Sequence, residues 1–185
     1  PKASFFAFET EVLAEKNKKE LSERIISLDG EWDFKWVKSL NDRPVDYYAS
    51  EINTKEWGKI TVPGNWETQG YGKPIYLDER YPFSETWPDI PYEYNPVGTY
   101  RKHIEISSEF LKDKQVILHF AGAKAMQVYM NGKFVGYSEG SKTPAEFDIT
   151  NQVKNGQNLL ALQMVRWTDA SYLESQDMLR MSGIE

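Results

Sequence analysis

Val128-Tyr-Met-Asn-Gly-Lys-Phe-Val-Gly-Tyr137 carries the strongest short hairpin signal in the chain, with Asn131-Gly132 set between two apolar and aromatic runs. A two-residue connection needs positive φ at its central positions. Asparagine and glycine adopt that conformation at least cost, and the resulting twist matches that of the flanking strands. Residues 125–130 and 133–137 are therefore expected as paired antiparallel strands. The same punctuation continues outward. Downstream, Ala145-Glu-Phe-Asp-Ile149 is a short strand, and Asn158 to Trp167 runs almost without polar interruption, as a strand buried on both faces would. Upstream, Tyr100 to Ile106 is a strand, and Gln115-Val-Ile-Leu-His-Phe120 is another that turns Val116, Leu118 and Phe120 inward. Asp29-Gly30 leads into Glu31-Trp-Asp-Phe-Lys-Trp-Val37, where Trp32, Phe34 and Trp36 alternate with charged residues, giving one dry and one wet face. Short strands, regular turns and no long helical period predict an all-β antiparallel sandwich.

Two regions depart from this pattern. Residues 1–24 read as an arm: Phe5, Phe6 and Phe8 are an apolar anchor, and Glu9 to Glu20 is charged, fitting a short helix or an extended strap equally. From Pro63 to Pro96 fall six of the nine prolines, together with Trp66, Tyr71, Tyr76, Tyr81, Phe83, Trp87, Tyr92 and Tyr94. No period of 2 or 3.6 survives that proline density, so a long loop is expected, and its aromatic content argues for order and function.

With 185 residues the chain fits one domain plus an arm, and 40% hydrophobic content supports a core without external staples. A formal charge of −6 opposes nucleic acid and acidic membrane as partners. Cysteine is absent, which removes disulfide and thiolate chemistry and decides no compartment. Only two histidines occur, His103 and His119, both inside predicted strands. A metal-binding His-Glu-x-x-His helix, a Ser-His-Asp triad and a phosphate-cradling glycine loop are all missing from the sequence. Carboxylates are plentiful, but most lie in charged stretches that read as solvated surface. A (β/α)₈ barrel, where many glycosidase sites are housed, needs about 250 residues. An active site complete within this chain is not expected.

Three groups of residues carry a resemblance. The first is Leu28-Asp-Gly-Glu-Trp-Asp-Phe34 with Val62-Pro-Gly-Asn-Trp-Glu-Thr-Gln-Gly-Tyr71 and Pro74-Ile-Tyr76. The second is the hairpin above with Phe147-Asp-Ile-Thr150. The third and most specific is Arg166-Trp-Thr-Asp-Ala-Ser-Tyr-Leu-Glu-Ser-Gln-Asp-Met178 followed by Arg180-Met-Ser-Gly-Ile184. Their order and spacing resemble the N-terminal domain of β-galactosidases of glycoside hydrolase family 2, over nearly the whole chain from residue 25. The resemblance implies a jelly-roll, galactose-binding-like sandwich over residues 25–185. It also implies a retaining parent enzyme that cleaves terminal β-D-galactosides, in which an immunoglobulin-like domain and a barrel follow. The barrel supplies the catalytic glutamates, and this domain adds a wall to the galactose pocket.

The resemblance further implies specific site residues. Asp177, in Glu174-Ser-Gln-Asp177, would accept a galactose hydroxyl and share a sodium ion with the barrel; a carboxylate suits both, being an acceptor and a hard oxygen donor. Glu174, three residues earlier, fits either a role in that site or a turn or fold-supporting hydrogen bond. Asp78 stands where the family has asparagine, so it can accept from a sugar hydroxyl but cannot donate an amide N–H. Tyr76 and Trp66 are the loop aromatics expected near the ligand, and Asp169 is a second candidate for an ion. Leu179 replaces a bulky aromatic of the family. Sodium and magnesium are expected in the full-length enzyme and no cofactor in the isolated chain. Other outcomes are an autonomous carbohydrate-binding module, a β-glucuronidase- or β-mannosidase-like family 2 domain, and a structural or oligomerisation module. Because Gly183-Ile184-Glu185 stops where the family continues, the domain is expected to lack its last strand, expose a sheet edge and self-associate.

Overall fold

A computed structural model describes residues 6–75, 86 and 88–174. Eight strands are present among them: β1 (Gly30–Val37), β2 (Gly58–Val62), β3 (Val97–Ile106), β4 (Ile117–Phe120), β5 (Met126–Met130), β6 (Lys133–Ser138), β7 (Ala145–Asp148) and β8 (Gly156–Val165). They form a six-stranded sheet in the order β2-β1-β3-β8-β5-β6 and a two-stranded sheet β4-β7, with every pairing antiparallel. Three short helices complete the described chain: α1 (Glu11–Lys16), α2 (Ser108–Leu111) and α3 (Ala170–Glu174). The fold is the expected all-β sandwich.

The alternation read from the sequence decides which residues enter the core. Trp32 and Phe34 of β1 are 3% and 1% exposed, and they meet Tyr100 of β3, Leu160 and Leu162 of β8, and Met126, Val128 and Met130 of β5. Val116 and Leu118 close this core from the other sheet. Burying each such side chain contributes roughly 1.5–3 kcal/mol. On the outer face of β1, Asp33 and Glu31 pair with Lys59 of β2 at 2.8 and 3.4 Å, as expected for a wet face.

The strand β8 is buried on both sides, as its unbroken apolar run predicts, but the outer cover has no periodicity to announce it. Residues 39–56 cross the outer face of the sheet and are held there by two buried polar side chains. Arg101 donates to the carbonyls of Tyr47, Ala49 (2.7 Å) and Ser50 (3.3 Å), and Gln163 donates to the carbonyl of Pro44 at 2.9 Å. Residues 8–10 and 22–24 of the arm are tied together, with Ser22 donating to Glu9 at 2.6 Å, and α1 sits between them with none of its residues buried. The proline-rich stretch contains no strand among its described residues, only a turn of 3₁₀ helix at Glu67–Gln69.

Candidate sugar-binding surface

At one end of the sandwich β8 runs out, β3 begins, and the stretches that the sequence marks for function converge. Asn95, fully buried, fixes the junction. Its Nδ2 donates to the Trp167 carbonyl at 2.8 Å and its Oδ1 accepts from the Trp167 N–H at 2.9 Å. The Arg166 N–H donates to the Pro96 carbonyl at 2.9 Å, so the exit of β8 and the entry of β3 stay paired past the regular ladder.

Arg166 then reaches across about a hundred residues of chain. Its Nη1 donates to Glu67 Oε1 at 2.6 Å and to the Lys73 carbonyl at 3.3 Å. Both side chains of this ion pair are mostly buried, at 12% and 21% exposure, which strengthens it over an exposed pair. The segment 65–75 is anchored a second way. Gln69 closes a two-bond clasp on Thr61 of β2, accepting its N–H at 2.7 Å and donating to its carbonyl at 2.9 Å. The Trp66 indole packs on Phe34, donates its N–H to the Tyr100 hydroxyl, and lies so close to Gly98 that a Cβ there would stand 2.5 Å from the ring. Gly98 is a glycine because Trp66 occupies the space of its side chain.

After Trp167 the chain turns into α3. The Asp169 carboxylate accepts the N–H of Ala170 at 3.1 Å, and its carbonyl accepts that of Tyr172. Tyr172, 1% exposed, sends its hydroxyl to the Asp89 carbonyl at 2.6 Å and so pins α3 to the proline-rich stretch. Glu174 accepts the Ser141 N–H at 2.7 Å, the fold-supporting one of its two expected roles. Two cations flank the Trp167 ring: the Lys124 Nζ and the Arg166 guanidinium each lie 5.1 Å from its centroid. Lys124 is exposed as a residue, yet partial desolvation of its ammonium lowers its pKa; the charges of Glu174 and Glu67 oppose that shift, and those of Arg166 and Lys142 add to it.

Of the residues named from the sequence, Trp66 and Asp169 are described, and Tyr76, Asp78 and Asp177 lie outside the described residues. Trp66 is engaged inward by both its ring and its N–H. Asp169 is exposed, with one oxygen committed to the start of α3. The Arg166–Lys73 contact brings together the segment leading to Tyr76 and the segment leading to Asp177. Among the described residues, no three His, Cys, Asp or Glu side chains group to hold a metal ion. The Arg166–Glu67 pair, Asn95 and Lys124 were not foreseen. Arg166 and Glu67 sit inside the quoted motifs, and that was the available signal.

Residues 25–185 match the family model of glycosyl hydrolases family 2, sugar binding domain. The β-galactosidase of Priestia megaterium is 42% identical over 98% of this chain, and that of Vibrio vulnificus strain CMCP6 is 42% identical over 85%. The chain spans 18% and 15% of the length of these two relatives. Among solved structures, Bifidobacterium dentium β-glucuronidase superposes with a TM-score of 0.55 at 26% identity, covering 74% of this chain and 19% of that one.

Proposed function

Because this chain belongs to the sugar-binding domains of glycosyl hydrolase family 2, we infer that it serves as the non-catalytic N-terminal domain of a longer β-galactosidase. The observation that carries this is the convergence at the end of β8. There the motif segment 166–174 and the segment 65–75 are locked together by Arg166, within a chain 42% identical to a named β-galactosidase. Both segments run directly into the residues proposed for the sugar, Tyr76 and Asp78 after the first and Asp177 after the second. In this reading the domain binds and orients, while an immunoglobulin-like domain and a barrel follow. Two barrel glutamates carry out retaining hydrolysis, one as acid/base and one as nucleophile.

Asp177 accepts a galactose hydroxyl and gives one hard oxygen to a sodium ion whose other ligands come from the barrel. Magnesium is the second cation of the full-length enzyme in this reading. Asp78 accepts a second hydroxyl without donating. Asp169 is the poorer sodium ligand, since one of its oxygens already caps α3. Trp66 contributes as a strut: its ring holds the 65–75 segment on the sheet, and Tyr76 is left as the aromatic nearer the sugar.

The test is the full-length enzyme carrying Asp177→Ala, assayed on a chromogenic β-galactoside. Losing a hydrogen bond to a charged group predicts a fall in kcat/KM of about 10- to 100-fold. An unchanged kcat/KM would remove the domain from the pocket. A second reading, a family 2 β-glucuronidase, is favoured by the structural match to the Bifidobacterium dentium enzyme, and it predicts turnover of the β-glucuronide in place of the galactoside. The sequence identities, 42% against 26%, favour the galactoside.

A further inference from the structure

The hairpin that opened the sequence reading contains an irregularity. Val128 pairs with Gly136 and Tyr129 with Phe134, so Val135 is an extra residue and β6 carries a bulge. In a regular strand Phe134 and Tyr137, three apart, would point to opposite faces. Here Phe134 stands opposite Tyr129 and Tyr137 opposite Gln127, and directly opposed residues share a face. Gln127 and Tyr129 alternate with the core residues Met126, Val128 and Met130, so the shared face is the outer one.

The result is a row of aromatic rings on the outer side of the sheet, beside the segment that crosses it. Phe134 is 56% and Tyr137 49% exposed. Tyr129 lies edge-on to Phe134 at 5.3 Å, and Tyr48 stacks on Tyr129 at 4.4 Å and 10°, which fixes its ring. The core packing of the sandwich uses neither exposed ring, and exposed apolar groups gathered in one place mark a contact surface. Polar groups punctuate the row: Gln127 lies opposite Tyr137, Lys133 opens β6, and the Glu139 carboxylate accepts from the Tyr137 hydroxyl. The centre of a protein–protein interface is depleted of such charges. Sugars, by contrast, need a ring face for their C–H groups and acceptors and donors for their hydroxyls. The row also continues into the surface described above, since β6 ends at Ser138 and Ser141 is bonded to Glu174.

We propose that Phe134 and Tyr137, backed by Tyr129, form a stacking platform for a neutral oligosaccharide, a second carbohydrate-binding surface beside the pocket. This rests on the reading of the chain as a glycoside-handling domain. Phe134 and Tyr137 stand opposite Tyr129 and Gln127, two residues apart on β5, which sets them about 7 Å apart along the strand, so a single galactose covers one and an oligosaccharide spans both.

The experiment is titration of this chain with β-1,4-galactotetraose and with galactose, followed by two-dimensional NMR of the aromatic side chains. Saturable shifts at Phe134 and Tyr137 are expected with the tetraose. Binding should weaken about tenfold or more for galactose, and likewise for the double variant Phe134→Ser, Tyr137→Ser. Both positions are exposed, and an unchanged thermal midpoint confirms that the variant folds. Shifts confined to the Phe134 and Tyr137 rings, with the Trp167 ring unmoved, separate the platform from the pocket assignment. Equal binding by the double variant, or no binding by the parent chain, overturns the proposal. Self-association of the chain that disappears in the double variant overturns it too, by identifying the row as a contact between copies.

Discussion

The two ends of the sandwich are closed by different chemistry. At the hairpin end, the neutral amides of Asn131 and Asn158 bond one another and the surrounding backbone. Asn131, in the left-handed region at φ 52°, donates to the Gln152 carbonyl and to Asn158 Oδ1 at 2.8 Å and accepts the Leu159 N–H at 2.9 Å. Asn158, 1% exposed, also accepts the Lys154 N–H and donates to the carbonyls of Lys154 and Gly156. At the other end a single amide, Asn95, is joined by charged groups: Arg166, Glu67, Glu174 and Lys124. Charged groups have more donors and acceptors than one partner uses. An amide network that closes on itself holds a fold, whereas a charged one keeps capacity for something outside the chain.

If that contrast is right, Asn158→Ala should be the most damaging single change. It strands several buried partners at once and should cost about 4 kcal/mol in urea unfolding. A loss below about 1 kcal/mol would mean the amides do not act as a unit. Gly98→Ala, at the charged end, forces a Cβ against the Trp66 ring and should cost about 2 kcal/mol, with the Trp66 fluorescence perturbed as the 65–75 segment lifts. Arg166→Met should cost less stability, about 1–2 kcal/mol, because its partner Glu67 can be rehydrated. The same change should lower kcat/KM of the full-length enzyme by a larger factor than its stability loss implies. An activity loss no greater than that of an equally destabilised Asn158 variant would erase the distinction between the ends.

The smallest effect is expected from a carboxylate outside both ends. Asp148 has its pKa lowered, chiefly by the Thr150 hydroxyl and then by the Gln115 amide. Its contribution is therefore present above the ordinary carboxylate pKa and lost as pH falls through the lowered one. Asp148→Asn should flatten the dependence of the urea midpoint on pH below about 4.

Much of the sheet was legible because its residues obey a local period. Trp32, Phe34 and Trp36 announce β1, and Asn131-Gly132 announces the hairpin, each within ten residues of chain. β2 was missed: Gly58–Val62 is five residues with one buried side chain, Ile60, too short for alternation to register. The burial of β8 on both faces was legible but the identity of its cover was not, since nothing local to Arg101 and Gln163 points to carbonyl partners more than fifty residues away. At the candidate site, residue types came from motif resemblance, whereas the Arg166–Glu67 pair is a contact between positions 99 apart and has no local signature.

The attachment of residues 39–56 has a consequence for how the molecule comes apart. A guanidinium keeps its charge at every pH a protein experiences, and the carbonyls that receive Arg101 do not titrate. That clamp has no proton-operated release. Acid must therefore loosen the domain through its carboxylates first, as at the Asp148–Thr150 turn, while the strap over β3 and β8 still holds. The outer layer is the last part of the sandwich that lowering the pH can open.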